Sequence, residues 1–171
     1  MARKLDSAEP AGEVPRIPAY RHDVTRSLVR VTATWTSADY QSRFARAAGV
    51  PDEPHALTVM FLLTERGPQR PTVLAGILGI SAAATSRLVE ALATAGLVTR
   101  TPDPEDARAT LVALTEQGAA AATVLHAEGD RLSQRLLDGW TEEERTIFTR
   151  LMHRYADAVE DDARTTREEQ Q

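Results

Sequence analysis

The spacing of apolar residues in the first part of the chain predicts a long helix. Residues 20–48 contain no proline or glycine, and apolar side chains recur there every three or four positions. They are Val24, Leu28, Val31 and Trp35. Because this spacing places them on one side of a helix, residues 20–48 are predicted to form one amphipathic helix that ends at Gly49 and Pro51.

A mostly apolar helix is predicted next. Residues 57–63 are nearly all apolar, so this helix is expected to be largely buried. Pro54 stands where the first turn of a helix tolerates proline. The pair Gly67 and Pro68 then stops the helix.

A short helix, a turn and a longer helix follow. Pro71 can open the short helix, and Gly79, which readily adopts a positive φ, can close it. Ser81 is a good N-cap for the longer helix, which Gly96 terminates. Two helices joined by about three residues have the spacing of a helix-turn-helix.

The segment after Gly96 predicts a hairpin. Residues 97–99 and 111–114 form two short strand-like runs, and the polar loop between them at 101–109 holds two prolines. A hairpin directly after the second helix of a helix-turn-helix is the wing of the winged variant. Each of these elements is common alone, so the order of the elements is what favours this interpretation.

Two more helices are predicted after the hairpin. The first starts at 115–118 and runs to about Asp138, where Gly139 breaks it. Thr141 and Glu144 form a capping box that begins the second. An apolar face then continues along it at Ile147, Phe148, Leu151, Met152, Tyr155 and Val159.

The two ends of the chain have the composition of segments that do not pack. Residues 1–18 are polar and contain three prolines, so they are expected to form a flexible arm. Residues 161–171 are highly charged, and a fraying tail is expected there.

Composition excludes several classes of protein. The chain has no cysteine, which excludes thiol chemistry, disulfides and thiolate metal sites. Its four histidines form no ligand motif, and no nucleophile or phosphate-loop motif occurs. We therefore expect no enzyme activity, no metal and no cofactor. With no apolar run of about 18 residues and no secretory signal, a cytoplasmic protein without membrane contact is expected.

The net charge of −5 counts mildly against binding to nucleic acid. The acidic excess lies in residues 115–171, which hold 13 acidic and 7 basic groups. Residues 70–114 hold four of each. Exposed charges are screened over about 8–10 Å, so one locally basic face can bind DNA while the rest of the protein is acidic.

Several short motifs follow one another between residues 74 and 118. They are Leu74-Ala75, Leu78-Gly79-Ile80-Ser81, Ser86-Arg87-Leu88-Val89, Leu92, Ala95-Gly96-Leu97-Val98, Arg100, Asp106-Ala107-Arg108 and Leu114-Thr115-Glu116-Gln117-Gly118. Together they resemble the MarR family of bacterial transcriptional regulators. The Asp-x-Arg wing followed by Leu-Thr-x-x-Gly is the most specific part, and the order of the flanking helices extends the resemblance over roughly residues 20–160.

The resemblance implies a mainly α fold with a small β-hairpin, in which a winged helix-turn-helix lobe is joined to a helical dimerisation region. One domain would cover residues 19–160, with the DNA-binding lobe at about 54–114 and dimerisation helices at 19–48 and 116–160. The implied function is that of a homodimeric repressor on a pseudo-palindromic operator. A small phenolic or lipophilic effector would release it from DNA.

The candidate DNA contacts lie on the second helix of the helix-turn-helix and on the wing. Arg108 is expected to enter the minor groove, as the wing arginine of the family does, with Asp106 holding its guanidinium in a bidentate hydrogen bond. Arg87 is the main candidate to read a base. The complete set is Arg70, Ser81, Ala82, Ala83, Ser86, Arg87, Arg100, Asp106 and Arg108. Trp35 and His55 are the candidate effector contacts.

Two other functions remain open from the sequence. A winged-helix adaptor would use the same lobe for protein contacts, and the acidic C-terminal part suits that function. A small enzyme is the second alternative, although the missing catalytic motifs argue against it. For Arg70 and Arg100, an ordinary solvated arginine is as good an interpretation as a DNA contact.

Overall fold

A computed structural model describes residues 19–106 and 108–169, and this part of the chain contains seven helices and one hairpin. The helices are α1 (Ala19–Trp35), α2 (Ala38–Ala48), α3 (Ala56–Arg66), α4 (Pro71–Leu78), α5 (Ala82–Thr94), α6 (Glu116–Leu136) and α7 (Glu142–Glu169). The strands are β1 (Val98–Pro102) and β2 (Thr110–Leu114). This order confirms the predicted mainly α fold with a wing after α5.

The chain divides into two compact units, Met1–Arg43 and Phe44–Gln171. The first unit contains α1 and the start of α2, and the second contains the remaining elements. The predicted N-terminal arm at residues 1–18 lies outside the described residues.

The single long helix predicted for residues 20–48 is wrong, because the structure has two helices there. The hydroxyls of Thr34, Thr36 and Ser37 donate to backbone carbonyls three or four residues earlier, at 2.8–2.9 Å. Such hydroxyls compete with the backbone amides for the same carbonyls. Helix α1 ends among them, and the carbonyl of Ser37 accepts the first hydrogen bond of α2, from the N–H of Tyr40 at 3.1 Å.

The start of α3 also differs slightly from the prediction. The helix begins at Ala56, so Pro54 precedes it and does not occupy its first turn. His55 stands between them with φ 68, in the left-handed region that few residues other than glycine adopt. It offers no side-chain hydrogen bond to cap the helix.

One core joins the elements of the second unit. Its largest fully buried side chains come from α3, α4, α5, the segment before β1, β2 and α6. They include Met60, Leu74, Leu92, Leu97 and Leu125. Each such side chain contributes about 1.5–3 kcal/mol by leaving water. The core therefore fixes the helix-turn-helix, the wing and α6 to one another.

Helix α7 begins as predicted and continues further than predicted. The Thr141 N–H donates to the Glu144 carboxylate at 2.8 Å, and the Glu144 N–H donates to the Thr141 hydroxyl at 3.2 Å. This pair is the predicted capping box. Residues 161–169 are helical where a fraying tail was predicted. An ion pair between Arg164 and Asp161, one turn apart at 2.6 Å, supports the helix there.

Within residues 19–106 and 108–169, no single helix has the length and apolar character needed to cross a bilayer. Helices α4 and α5 reach that threshold only when taken together as a pair bent by 111°. Both contribute side chains to the core of the second unit, Leu74 from α4 and Leu92 from α5.

Candidate nucleic-acid interface

The turn between α4 and α5 is built by one glycine and one serine. Gly79 has φ 65 and donates its N–H to the carbonyl of Ala75, which closes α4. The Ser81 hydroxyl accepts the N–H of Ala84 at 3.2 Å and caps α5. Both features follow the predicted helix-turn-helix, because glycine permits the positive φ and serine satisfies a free helix N–H.

Helix α5 has one buried and one exposed side. Thr85, Leu88, Val89 and Leu92 are buried. The opposite side exposes Ala82, Ala83, Ser86, Arg87 and Glu90. The structure therefore places the predicted base-reading residues together on the solvent face of one helix.

Glu90 is a member of this exposed face that the sequence interpretation missed. It follows Ser86 by four residues and Arg87 by three, a spacing that places all three on the same side of α5. The helical period alone could have identified it. A carboxylate there repels phosphate and can accept a hydrogen bond from the amino group of cytosine, so the face carries one cation and one anion.

The wing is a regular antiparallel hairpin with a closed tip. Arg100 pairs in register with Val112 and is exposed on β1. At the tip, the Asp103 N–H donates to the Ala109 carbonyl at 3.1 Å. The Ala109 N–H in turn donates to the Asp106 carbonyl at 2.9 Å. These two backbone hydrogen bonds close the loop between β1 and β2.

The predicted bidentate pair between Asp106 and Arg108 is wrong. The Asp106 carboxylate accepts the backbone N–H of Arg108 at 3.0 Å, and no ion pair joins the two side chains. An aspartate readily binds the backbone N–H two residues further on, which forms an Asx turn. Asp106 therefore shapes the backbone, and the exposed Arg108 guanidinium extends from the wing tip without a carboxylate partner in the described part of the chain.

Arg70 contacts the tip end of the wing. It occupies the N-cap position of α4 without making a side-chain cap. Its Nε donates instead to a carboxylate oxygen of Asp103 at 2.6 Å. Asp103 is only 7% exposed, and its other oxygen accepts the N–H of Glu105 at 2.9 Å.

The titration behaviour of both partners reflects this contact. The hydrogen bond from the Glu105 N–H, followed by that from Arg70, holds the pKa of the Asp103 carboxyl below its usual value. The hydrogen bond to Asp103 likewise raises the pKa of Arg70 above its usual value. The carboxylate is therefore charged near neutral pH, and the Arg70–Asp103 contact is an ion pair there.

The segment before α4 also pairs with the wing through its backbone. The Gln69 N–H donates to the Val112 carbonyl at 3.0 Å, and the Val112 N–H donates to the Gln69 carbonyl at 2.8 Å. This isolated bridge places residue 69 beside β2, on the side opposite β1. The wing is thus attached to the start of α4 by backbone as well as side-chain contacts.

The junction between the wing and α6 explains the spacing of the Leu-Thr-x-x-Gly motif. The Thr115 hydroxyl donates to the Gly96 carbonyl at 2.6 Å and accepts the N–H of Gly118 at 2.9 Å. Gly118 lies so close to the backbone of Leu97 that a Cβ would stand 1.9 Å from its carbonyl oxygen. The motif therefore combines a helix cap with a close backbone approach that only glycine permits.

The two candidate effector contacts lie in different units. Trp35 ends α1 in the unit Met1–Arg43, and 47% of it is exposed. His55 precedes α3 in the unit Phe44–Gln171 and is also exposed. Each is accessible to a ligand within its own unit, and the assignment of both as effector contacts stays a prediction.

Comparison with known proteins finds a family match for the segment that contains the helix-turn-helix and most of the wing. Residues 53–110 match the model of the MarR family. That match covers the end of the α2–α3 connection, α3, α4, α5, β1 and the tip of the wing. A search of curated proteins finds no match to the chain.

Solved structures share the fold over most of the chain. A MarR family protein from Bacillus stearothermophilus is 19% identical, with a TM-score of 0.66, over 84% of this chain and 98% of its own. The transcriptional regulator Tm0710 from Thermotoga maritima is 21% identical, with a TM-score of 0.59, over 82% and 96%. A MarR protein from Peptoclostridium difficile is 17% identical, with a TM-score of 0.60, over 91% and 97%.

The sequence match and the structural similarity both point to MarR-family proteins. The family model covers the helix-turn-helix and the wing, and the structural similarity extends to the helices on either side. Residues 53–110 therefore match the MarR family model, and the chain has the fold of solved MarR-family proteins.

Proposed function

We propose that this chain binds double-stranded DNA as a homodimer and represses transcription until a small molecule releases it. The observation that supports the proposal is that α5 and the wing, which belong to the same lobe, are both exposed to solvent. Helix α5 exposes a stripe of small and polar side chains, and the wing next to it exposes Arg108 at a tight turn. A helix fits the major groove, and an arginine suits a narrow minor groove.

The proposed contacts divide between the two grooves. Arg87 binds a guanine edge or a phosphate, Ser86 bonds a base or a phosphate, and Ala82 and Ala83 contact thymine methyl groups. The N-terminus of α5 at Ser81 favours a phosphate. On the wing, Arg108 enters the minor groove and Arg100 binds a phosphate.

Dimerisation is proposed through the helices outside the lobe. Helix α7 leaves a row of large apolar side chains exposed, each 40–49% accessible. They are Ile147, Phe148, Leu151, Met152, Tyr155 and Val159. In the first unit, α1 also exposes apolar side chains, including Trp35. A second copy would cover such faces, and two-fold symmetry would place two α5 helices about 34 Å apart, one turn of DNA.

Release by an effector requires two arrangements of the dimer with different affinities for the ligand. We propose that a phenolic or lipophilic molecule binds near Trp35 or His55 and favours an arrangement in which the two α5 helices no longer match successive major grooves. The exposed Trp35 ring suits an aromatic ligand.

Alanine substitution of the two exposed arginines tests the proposed DNA surface. We expect Arg87→Ala and Arg108→Ala each to weaken binding to a duplex selected by the wild-type protein from a random-sequence library. The expected loss is roughly 1–3 kcal/mol, which is about 5- to 150-fold in Kd. Titration monitored by fluorescence anisotropy at fixed salt measures it.

Arg150→Ala provides the matched control. It removes the same charge from an exposed position on α7, outside the lobe, so only a small change in affinity is expected. If both lobe variants bind as tightly as the wild type, the proposed surface is wrong. A protein that selects no preferred duplex at all would support the adaptor function, which the acidic C-terminal part of the chain favours.

A further inference from the structure

We propose that Arg70 and Asp103 are positioning residues that set the direction of the wing, so that Arg108 reaches the minor groove. Arg70 would act through Asp103 and the wing tip, and not as a phosphate contact of its own. This inference rests on the proposed DNA-binding function. It concerns how the wing is held in place and not whether the lobe binds DNA.

An arginine, Arg70, stands at the start of α4. An N-cap position favours a short polar side chain that can accept a helix N–H, and arginine has no acceptor atom. Arg70 occupies this position and makes no side-chain cap. Its guanidinium binds Asp103 at 2.6 Å instead, 33 residues further along the chain. The arginine therefore links α4 to the wing.

Asp103 is a nearly buried carboxylate that accepts a hydrogen bond on each of its two oxygens. Only 5% of its side chain is exposed, while 40% of the Arg70 side chain is. One carboxylate oxygen accepts Arg70 Nε and the other accepts the N–H of Glu105. An asparagine has a single acceptor oxygen, so it can satisfy either donor and not both.

Hydrogen bonds connect Asp103 to Arg108 through the loop of the wing. Asp103 receives the Glu105 N–H on its side chain and gives its own N–H to Ala109. Ala109 binds the Asp106 carbonyl, and the Asp106 side chain binds the N–H of Arg108. The backbone that directs Arg108 is therefore held to α4 through a continuous set of hydrogen bonds.

Because Asp103 is negatively charged, its role in positioning the wing can be distinguished from its repulsion of DNA phosphates. Removing a negative charge beside DNA strengthens binding if only the charge matters, because fewer phosphates are repelled. Removing the group that positions the wing weakens binding, because Arg108 loses its direction. Asp103→Asn therefore has opposite expected effects under the two explanations.

The test compares Asp103→Asn with Glu105→Gln on a duplex selected by the wild-type protein from a random-sequence library. Both variants remove one negative charge from the same loop, but the Glu105 side chain is exposed and only its backbone N–H takes part in the network. We expect Asp103→Asn to raise Kd by about tenfold. Glu105→Gln is expected to leave Kd unchanged or slightly lowered.

A double-mutant cycle shows whether the effect passes through Arg108. In the Arg108→Ala background, Asp103→Asn is expected to cost no further affinity, because the group that it positions is gone. Arg70→Gln is a second variant with the same expected pattern, and Arg70→Lys should restore part of the loss. Thermal unfolding of each variant reports whether the lobe is folded at the temperature of the titration.

Three results would overturn the proposal. The first is that Asp103→Asn binds the duplex more tightly than the wild type. The second is that Asp103→Asn binds it with the same affinity as the wild type. The third is that the double variant loses as much affinity as Asp103→Asn and Arg108→Ala lose together as single variants. Different results would contradict the proposed DNA-binding function. They are a wild-type protein that selects no duplex, or an Arg108→Ala variant that binds the selected duplex as tightly as the wild type.

Discussion

Gly118→Ala is expected to destabilise the protein by about 3 kcal/mol or more, the upper end of the cost of overpacking a core. The added Cβ would stand 1.9 Å from the Leu97 carbonyl oxygen and 2.9 Å from its carbonyl carbon. Both atoms belong to the backbone, so no side-chain rotation relieves the contact. The start of α6 would have to move away from the wing, and the Thr115 cap on the Gly118 N–H would be strained.

Gly129→Ala is the matched control for this prediction. Gly129 lies in the same helix, and an added Cβ would meet no atom within 4 Å. Alanine there should stabilise the protein by about 0.5–1 kcal/mol, because glycine is a poor helix former. Urea unfolding measures both changes. Equal effects of the two substitutions would show that the close approach at Gly118 does not matter.

Leu151→Glu is expected to convert the proposed dimer into a monomer and with it to abolish tight binding to a pseudo-palindromic duplex. Leu151 lies within the exposed apolar row of α7 and is 47% accessible in the single chain. A carboxylate in that row would be buried without a partner when two copies meet. Each copy should cost the dimer roughly 2 kcal/mol or more. Sedimentation velocity measures the change in oligomeric state.

Thr146→Glu is the control for the negative charge that Leu151→Glu adds to α7. Thr146 is exposed on the opposite side of α7, since the helical period sets it nearly half a turn from the centre of the apolar row. The variant is expected to stay dimeric and to bind the duplex like the wild type. A dimer that survives Leu151→Glu would place the interface elsewhere.

The sequence predicted the elements of the lobe well because their ends depend on single residues. Gly79 and Gly96 both adopt positive φ where the sequence indicated helix ends. Ser81 caps α5 as expected. The buried side of α5 follows directly from the helical period, which also defines its exposed side. These are local effects, and a local pattern is sufficient to predict them.

The features that the sequence did not reveal depend on competition or on distance along the chain. The break at Thr36 and Ser37 arises from hydroxyls that compete for helix carbonyls, and no proline or glycine marks it in the sequence. The contact between Arg70 and Asp103 joins two segments that no periodicity relates. Asp106 had two donors within reach, the guanidinium and the N–H of Arg108, and the nearer backbone group binds it.

The neutral charge of residues 70–114 also has a structural interpretation. Of their four carboxylates, Asp103 is paired with Arg70 and Asp106 binds a backbone N–H. The exposed arginines on α5 and the wing, Arg87 and Arg108, form no ion pair in the part of the chain that the structure describes. Affinity for DNA should therefore depend on the direction of a few arginines and not on a general basic charge.

The most direct test of DNA recognition by this lobe is the affinity of the wild-type chain for a selected duplex and for a shuffled duplex across a series of salt concentrations. Specific recognition predicts that the selected duplex binds about 10³-fold tighter or more. The logarithm of the binding constant should also fall linearly with the logarithm of the salt concentration. Equal affinities for the two duplexes, or no dependence on salt, would contradict DNA recognition by α5 and the wing.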